Sequence, residues 1–257
     1  MKTTNLTSVA IAVLLGTVML AGAGCTNSKT NQETSDNMET LNLTQEWDKK
    51  FPQSDKVNHR KVTFKNRYGI TLAADLYEPK NVEGKLAAIA VSGPFGAVKE
   101  QTSGLYAQTM AERGFLTLAF DPSYTGESGG EPRNVASPDI NTEDFSAAVD
   151  FLTALSDVDA ERIGIIGICG FGGMGLNAAA MDTRIKATVA STMYDMSRVN
   201  ANGYFDAEDS ADDRNKKREM MNVIRTRDAQ SGTITPGVPG LPDSITGEEP
   251  QFVKDYF

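Results

Sequence analysis

The 257-residue sequence predicts an α/β fold in which a mostly parallel sheet is covered by helices. Three continuous apolar runs, at 86–91, 115–120 and 162–166, have the composition of buried parallel strands. Segments in which apolar residues recur at helical spacing lie between these runs. The alternation of strand and helix implies parallel connections, because each helix carries the chain back across the sheet before the next strand.

The composition favours one large globular domain and excludes some classes of partner. The formal net charge of -9 argues against binding to nucleic acid or to anionic membrane surfaces. Two cysteines provide no disulfide framework. With one histidine and no paired cysteines, the sequence contains no metal-ligand cluster, so neither a metal nor another cofactor is expected.

Residues 1–25 have the features of an export signal. Lys2 gives a basic start, residues 9–21 are apolar but too few to span a membrane, and small residues precede Cys25. This end resembles a bacterial lipobox, in which the cysteine is lipidated and becomes the first mature residue, although Gly22 stands where leucine is usual. We expect a lipoprotein anchored through Cys25 to a membrane of the bacterial cell envelope, facing the periplasm or the surface. Ordinary cleavage after Ala23 is the alternative.

Three further segments follow the signal. Residues 26–57 are predicted to be a flexible tether, because their first half is rich in Asn, Ser, Thr and Gln without apolar periodicity. Residues 58–200 are predicted to form the α/β core. Residues 201–257 are predicted to be a helical or irregular C-terminal segment, charged at 206–227 and rich in Gly and Pro at 231–250.

Each core element has its own pattern. Apolar and polar residues alternate on both sides of the turn at Tyr68-Gly69, which predicts a hairpin over 62–76. A first helix is predicted to end at Gly114 as its C-cap. A second helix is predicted to be capped by Asn141 or Thr142. Its apolar face is formed by Phe145, Val149, Leu152 and Leu155. A last buried strand is predicted at 185–190.

The most specific motif is the run Gly167-Ile168-Cys169-Gly170-Phe171-Gly172-Gly173. It follows an apolar strand and leads into a helix, so one nucleophilic side chain stands in a glycine-tight turn, the layout of a nucleophile elbow. Glycines are needed there because the central residue is backbone-strained and its neighbours pass close to one another. A small buried core cysteine is the other interpretation of Cys169.

Residues 60–198, taken as an ordered set, resemble the α/β-hydrolases. The set comprises the hairpin, the loop Val91-Ser92-Gly93-Pro94-Phe95, the loop 121–130, the capped helix and the elbow. The closest resemblance is to the dienelactone-hydrolase-like branch, which uses cysteine in the elbow. It implies a three-layer sandwich in which Cys169 is the nucleophile and the backbone N–H groups of Phe95 and Gly170 form the oxyanion hole. The implied reaction is hydrolysis of a small-molecule ester, lactone or similar acyl bond through a thioester.

The sequence departs from this family in three ways. Phe171 occupies an elbow position that is normally small. The last strands of the family, which carry its acid and histidine, are expected to be missing, so that the chain is C-terminally truncated and one side of the sheet is unpaired. Asp195 is the candidate acid, with a solvated loop carboxylate as the alternative, and His59 is expected to be exposed before the first strand. A non-catalytic truncated remnant that binds a ligand or partner is therefore the alternative function.

A third interpretation uses the same glycines. Residues 170–175 match G-x-G-x-x-G after a strand, and Asp195 follows about twenty residues later, as in a dinucleotide-binding fingerprint. At least three strands precede the motif, however, whereas the fingerprint usually begins its sheet. A dinucleotide-binding protein is therefore the minor alternative.

Overall fold

A computed structural model of the protein describes residues 41–235 and Gly247. The signal peptide predicted at 1–25, with Cys25, lies outside the described residues, as do residues 26–40. The strands are β1 (Val57–Lys65), β2 (Thr71–Pro79), β3 (Leu86–Ser92), β4 (Leu116–Phe120), β5 (Val158–Ile168) and β6 (Ile185–Ser191). The helices are α1 (Thr102–Ala111), α2 (Pro138–Thr153), α3 (Gly170–Met181), α4 (Met196–Asn202) and α5 (Ala211–Ser231), with a 3-10 turn at Tyr204–Asp206.

The six strands form one sheet in the order β1-β2-β4-β3-β5-β6. β1 and β2 are the predicted antiparallel hairpin, and β2 is also antiparallel to β4. β4, β3, β5 and β6 are parallel to one another. The predicted mostly parallel α/β sheet is therefore confirmed, with its carboxyl ends, where the parallel strands finish, at one edge.

Helices cover both faces of the sheet, which confirms the three-layer architecture. On one face α2 and α3 pack against the strands through residues that include Phe145, Leu152 and Phe171. On the other face α1 packs through Ala107 and Ala111. Because each strand alternates its side chains between the two faces, the apolar strands supply both cores at once.

Residues 41–56 pack against the body of the protein, so the tether predicted for 26–57 does not extend over them. Phe51 is buried in the core that α1 covers, and the Trp47 indole N–H donates to the Phe51 carbonyl at 2.9 Å. Gln108 of α1 donates to the Pro52 carbonyl at 3.0 Å. The prediction was based on the polar residues 26–40, whereas the apolar side chains that fix this segment follow them.

The predicted start of the second helix is wrong, whereas the predicted end of the first is confirmed. α2 begins at Pro138, and its N-cap is Ser137, whose hydroxyl accepts from the Ile140 N–H at 3.4 Å. Asn141, predicted as a cap, is buried inside the first turn. Proline suits this first turn because it needs no N–H donor there and its φ is already helical. The predicted C-cap at Gly114 is confirmed: with φ +96°, its N–H donates to the Ala111 carbonyl at 3.0 Å, and the next N–H, of Phe115, donates to the Met110 carbonyl at 3.3 Å. These two bonds are the pattern in which a glycine of positive φ ends a helix.

The C-terminal part of the described chain is helical, through α4, the 3-10 turn and α5. No residue of α5 is buried. β6 is the outermost described strand on its side of the sheet, and its Val189 is 52% exposed. Among the described residues, no helix is both long and apolar enough to cross a membrane.

Candidate active site

Cys169 is the single residue between a strand and a helix. β5 ends at Ile168 and α3 begins at Gly170, so Cys169 forms the junction, with φ +58° and ψ -124°. A side chain with positive φ costs free energy and persists only where the surroundings impose it. Here the Cys169 N–H donates to the Ser191 carbonyl at 2.9 Å, and the Cys169 carbonyl accepts from Gly172 and Tyr194. Cys169 is half-buried at the carboxyl edge of the parallel strands.

Close backbone packing holds this turn. A Cβ on Gly167 would overlap the Phe171 carbonyl, and a Cβ on Gly93, at φ +97°, would overlap the Ile168 carbonyl. The bulky Phe171 is accommodated because its ring points into the core, with its centroid 6.2 Å from that of Phe95. The turn is therefore centred on Cys169, with Phe171 in the normally small position.

The two residues predicted for the oxyanion hole are neighbours in the structure. A Cβ built on Gly170 would lie 3.5 Å from the Cβ of Phe95. Phe95 lies in the loop after β3, where a turn is closed by the Ala97 N–H donating to the Pro94 carbonyl at 3.1 Å. Met196, the first residue of α4, contacts the same position, 2.9 Å from that Cβ. Phe95 therefore lies beside Gly170, the residue that directly follows Cys169.

Asp195 has a structural task in this arrangement. It is the N-cap of α4, and its carboxylate accepts from the Arg198 N–H at 3.0 Å. The side chain is exposed. An exposed carboxylate that caps a short helix resembles the solvated loop carboxylate of the alternative interpretation more than a catalytic acid.

His59 lies on the other side of the sheet from Cys169, and the expectation of an exposed flanking histidine is wrong. Its Nε2 is 2.8 Å from the Asp75 carboxylate, and its side chain is only 13% exposed. The rings of Trp47 and Tyr77 lie against it, with centroids 5.1 Å away. Three strands separate β1 from β5, so four strand spacings, about 19 Å, separate this region from the elbow. His59 is therefore out of reach as a base for Cys169.

An ionic cluster that the sequence reasoning missed lies between β1, β2, the segment 41–56 and the loops after β3 and β4. Its members are Asp48, Lys49, His59, Lys61, Asp75, Lys99, Glu100, Asp121 and Glu127. The side chains of Lys49, Asp75, Lys99 and Asp121 have no exposed surface. One signal was available: Asp75 interrupts an apolar strand, and a carboxylate buried there needs a partner.

The ion pairs of this cluster shift the pKa values of its members. Burial raises the pKa of Asp121 to about 6, although Lys99 opposes that shift. For Lys99, burial lowers the pKa, but Asp121 and Glu100 outweigh it and raise the pKa overall. For Glu127, burial is outweighed by hydrogen bonds from Lys61 and Lys99, which lower its pKa to about 2. For Lys61, burial lowers the pKa, but hydrogen bonds to Glu127 and Asp48 outweigh it and raise the pKa overall. Lys61, Lys99 and Glu127 are therefore charged at neutral pH.

The glycines of the dinucleotide-type fingerprint are used for packing. Gly172, Gly173 and Gly175 lie inside α3. A Cβ on Gly172 would lie 3.1 Å from the Met193 side chain, and one on Gly173 would lie 2.9 Å from the Tyr194 carbonyl. In a dinucleotide fold such glycines leave room for a pyrophosphate, whereas here the segment before α4 occupies that room.

Two surface clefts lie away from the elbow. One of about 420 Å³ is lined by residues that include Asp55, Lys80 and Glu112. Another of about 390 Å³ lies along α5. Neither includes Cys169. Within residues 41–235, no three His, Cys, Asp or Glu side chains are grouped so that they could hold a metal ion.

Comparison with known proteins identifies the family. Residues 68–233 match the X-Pro dipeptidyl-peptidase (S15) family. The chain is 62% identical over 249 residues to an uncharacterized protein of Pseudomonas aeruginosa, covering 95% of this chain and 66% of that protein. The crystal structure of the Pseudomonas protein has a TM-score of 0.76, covering 84% of this chain and 67% of that one. The chain thus spans about two thirds of the length of this relative.

More distant relatives have named activities or folds. A thiohydrolase of Aspergillus aculeatus is 31% identical over 137 residues, covering 53% of this chain and 42% of that protein. The crystal structure of an α/β hydrolase from a Penicillium species is 23% identical, with a TM-score of 0.57, covering 72% of this chain and 60% of that one. This last likeness concerns the fold. The chain belongs to the X-Pro dipeptidyl-peptidase (S15) family and has an α/β-hydrolase fold.

Proposed function

We propose that this chain accepts an acyl group from a small-molecule ester, lactone or similar acyl substrate onto Cys169, the first half of a hydrolase reaction. The observation that carries the proposal is the positive-φ turn at Cys169, with Phe95 packed beside the adjoining Gly170. Such a turn costs free energy, and strained turns cluster at catalytic sites. A cysteine that only filled the core would not need this strain.

The chemical step follows from this placement. The Cys169 thiolate attacks the carbonyl carbon, an S–C bond forms, and the π electrons of the carbonyl move onto its oxygen. The N–H groups of Phe95 and Gly170 donate to that oxyanion, and the N-terminus of α3 favours the negative charge. The oxyanion then collapses, the bond to the leaving oxygen breaks, and that oxygen departs with the bonding electrons. A thioester on Cys169 remains.

The relatives support acyl chemistry in general terms. The family is named for a peptidase and the Aspergillus relative for a thiohydrolase, and both names denote hydrolysis of an acyl bond. Use of a cysteine thioester, as in the dienelactone-hydrolase-like branch, is the finer part of the proposal. It is based on the elbow motif rather than on the relatives.

Among residues 41–235, neither the histidine nor Asp195 serves as a base for the second half of the reaction. Water that attacks a thioester needs a general base within hydrogen-bond reach. The one histidine of this chain pairs with Asp75 at the far edge of the sheet, and Asp195 caps α4. We therefore expect this chain to acylate once and to hold the thioester without rapid turnover.

The proposal is tested with p-nitrophenyl acetate and the full chain. We expect a burst of p-nitrophenolate equivalent to one acetyl group per chain, with the adduct mapped to Cys169 by mass spectrometry. Cys169→Ala should lose the burst and the adduct, whereas Cys25→Ser should keep both. A wild-type chain without an adduct would support the alternative of a non-catalytic binding protein. Sustained turnover would mean that a base acts on the thioester.

We also propose that the protein is held at a membrane of the cell envelope by lipid on Cys25, as the residues before it indicate. Two acyl anchors hold a protein stably, whereas one does so only marginally. Cys25→Ser should move the protein to the soluble fraction. A mature N-terminus at Gly24 would instead indicate ordinary signal cleavage.

A further inference from the structure

Three members of the ionic cluster lie at the end of the loop after β3 that carries Phe95, which we call the oxyanion loop. The Lys99 ammonium is 2.9 Å from the Asp121 carboxylate and 2.7 Å from the Glu127 carboxylate. We call Lys99, Asp121 and Glu127 the Lys99 clamp. Lys99 and Asp121 have no exposed side-chain surface. Their geometry is therefore set by the fold rather than by solvent, and water does not compete for the contacts.

The clamp joins two loops through one carboxylate. Asp121 directly follows β4, and its oxygens accept from the Lys99 backbone N–H at 2.7 Å and from the Glu127 backbone N–H at 2.9 Å. Gly126, at φ +57°, passes so close that a Cβ there would overlap the Asp121 carboxylate. One buried aspartate therefore fixes the loop after β3 and the loop after β4 at the same time.

The loop that carries Phe95 is consequently held at both of its ends. At one end Gly93 packs against the Ile168 carbonyl, in the strand that leads to the elbow. At the other end Lys99 is bound to Asp121 by its main chain and its side chain. Phe95 lies between these two attachments, four residues before Lys99. Its backbone N–H has little freedom as long as both attachments are intact.

We propose that the Lys99 clamp is a positioning device for the oxyanion hole, which keeps the Phe95 N–H aligned with the carbonyl that Cys169 attacks. This inference rests on the proposed function. The clamp does not touch the substrate, so its members are positioning residues. Because a misplacement of about 1 Å costs about 100-fold in rate, a loosened loop should be visible in kinetics even when the fold is intact.

The structure supplies a matched control. Lys49 is also fully buried and pairs with a fully buried aspartate, Asp75, at 3.0 Å. That pair ties the segment 41–56 to β2 and makes no contact with Asp121 or Glu127 among the ion pairs of the cluster. Lys49 reaches the oxyanion loop only at Glu100, at 4.0 Å, whereas Lys99 lies 2.6 Å from Glu100 and also holds Asp121 and Glu127. Lys49→Met and Lys99→Met thus remove the same kind of buried charge, but only Lys99→Met removes the contacts to Asp121 and Glu127.

The test compares two reactions of Cys169 in the full-length chain. Acetylation by p-nitrophenyl acetate passes through an oxyanion, whereas alkylation by iodoacetamide displaces iodide and forms none. We expect Lys99→Met to slow acetylation about 10- to 100-fold and to leave alkylation within about twofold of wild type. Lys49→Met should leave both rates near those of wild type. Thermal unfolding of both variants shows whether they lose comparable stability.

The outcomes separate the inference from the function on which it rests. Acetylation of Lys99→Met at the wild-type rate would overturn the inference and leave the proposed function intact. Equal slowing of both reactions, or equal slowing of acetylation in Lys49→Met, would also overturn it, since either indicates a general disturbance. A wild-type chain that is alkylated but not acetylated would overturn the proposed function, and the inference with it.

If Lys99→Met does not fold, a milder variant tests the positioning role of the Lys99 clamp. Glu127→Gln removes one charge from the clamp but keeps the backbone bond from residue 127 to Asp121. We expect it to slow acetylation about threefold to tenfold, less than loss of a whole oxyanion donor, without changing alkylation. An unchanged acetylation rate in a folded Glu127→Gln protein would count against the clamp.

Discussion

The elbow and the ionic cluster are two parts of one molecule that are held together by opposite means. At the elbow, Gly93 and Gly167 allow main chain to pack on main chain, and the contacts are steric. In the cluster, buried lysines and carboxylates are held by charge and hydrogen bonds. The stability that the elbow packing provides should therefore be sensitive to added side-chain volume and insensitive to pH. The stability that the cluster provides should respond to lost charge and to pH.

The two parts meet in a single loop. The loop after β3 packs on the elbow through Gly93 and joins the cluster through Lys99. A substitution in the elbow can therefore displace Phe95 through Gly93, and one in the cluster can displace it through Lys99. The shape of the proposed site therefore depends on steric packing at one end of this loop and on electrostatics at the other.

The largest effect is expected from Gly93→Ala, compared with Gly114→Ala. Both glycines have nearly the same φ, +97° and +96°, but a Cβ on Gly93 would overlap main chain, whereas nothing lies within 4 Å of one on Gly114. We expect Gly114→Ala to cost about 1–2 kcal/mol of unfolding free energy from backbone strain alone. Gly93→Ala should cost about 4 kcal/mol or more, because overlap is added to the strain.

Urea unfolding followed by circular dichroism measures both glycine variants. Equal losses at the two positions would show that φ alone matters and that the close packing of Gly93 on the elbow does not. The difference between the two variants should not change with pH, because no charged group contributes to it.

An intermediate effect is expected from Glu127→Gln, and it should depend on pH. The pKa of Glu127 is lowered to about 2 in the folded protein, so its contribution is present above its usual pKa and is lost as the pH falls toward 2. Because Glu127 is partly exposed, we expect the variant to lose about 1–2 kcal/mol at pH 7, with the difference from wild type shrinking below about pH 4.5.

Denaturant midpoints of wild type and Glu127→Gln between pH 7 and pH 3 check this prediction. The stability of the variant has to be compared with that of wild type at each pH, because Asp121 makes the stability of both proteins change with pH in the opposite sense. Its raised pKa, about 6, gives a contribution that is present at acid pH and is lost as the pH rises through that value. A difference that grew on acidification would contradict the proposed charge state of Glu127.

The smallest effect is expected from Asp195→Ala. The variant removes the N-cap of α4, which should cost about 1 kcal/mol or less of unfolding free energy because the helix is short and exposed. The rates of acetylation and deacylation at Cys169 should not change. A loss of either rate out of proportion to stability would instead show that Asp195 acts as the catalytic acid.

Local patterns account for most of what could be predicted. Short local patterns specify the hairpin, the buried strands and the elbow around Cys169. Periodicity and glycine spacing are therefore enough to predict them. The start of α2 was missed because Ser137 and Pro138 precede its apolar face by a full turn or more. The sequence does not distinguish the two roles of Asp195, because a capping carboxylate and a catalytic one have the same sequence context.

By itself the sequence determined the fold class, the order of the strands along the chain and the place of Cys169 at a strand-to-helix turn. Only the tertiary structure decided which polar side chains meet: His59 with Asp75, and Lys99 with Asp121 and Glu127. Such partners are chosen by the order of strands in the sheet and by loop packing, and those depend on contacts between distant parts of the chain. Apolar periodicity carries no information about which buried charge will face which, because any lysine can neutralise any carboxylate that the fold brings within reach.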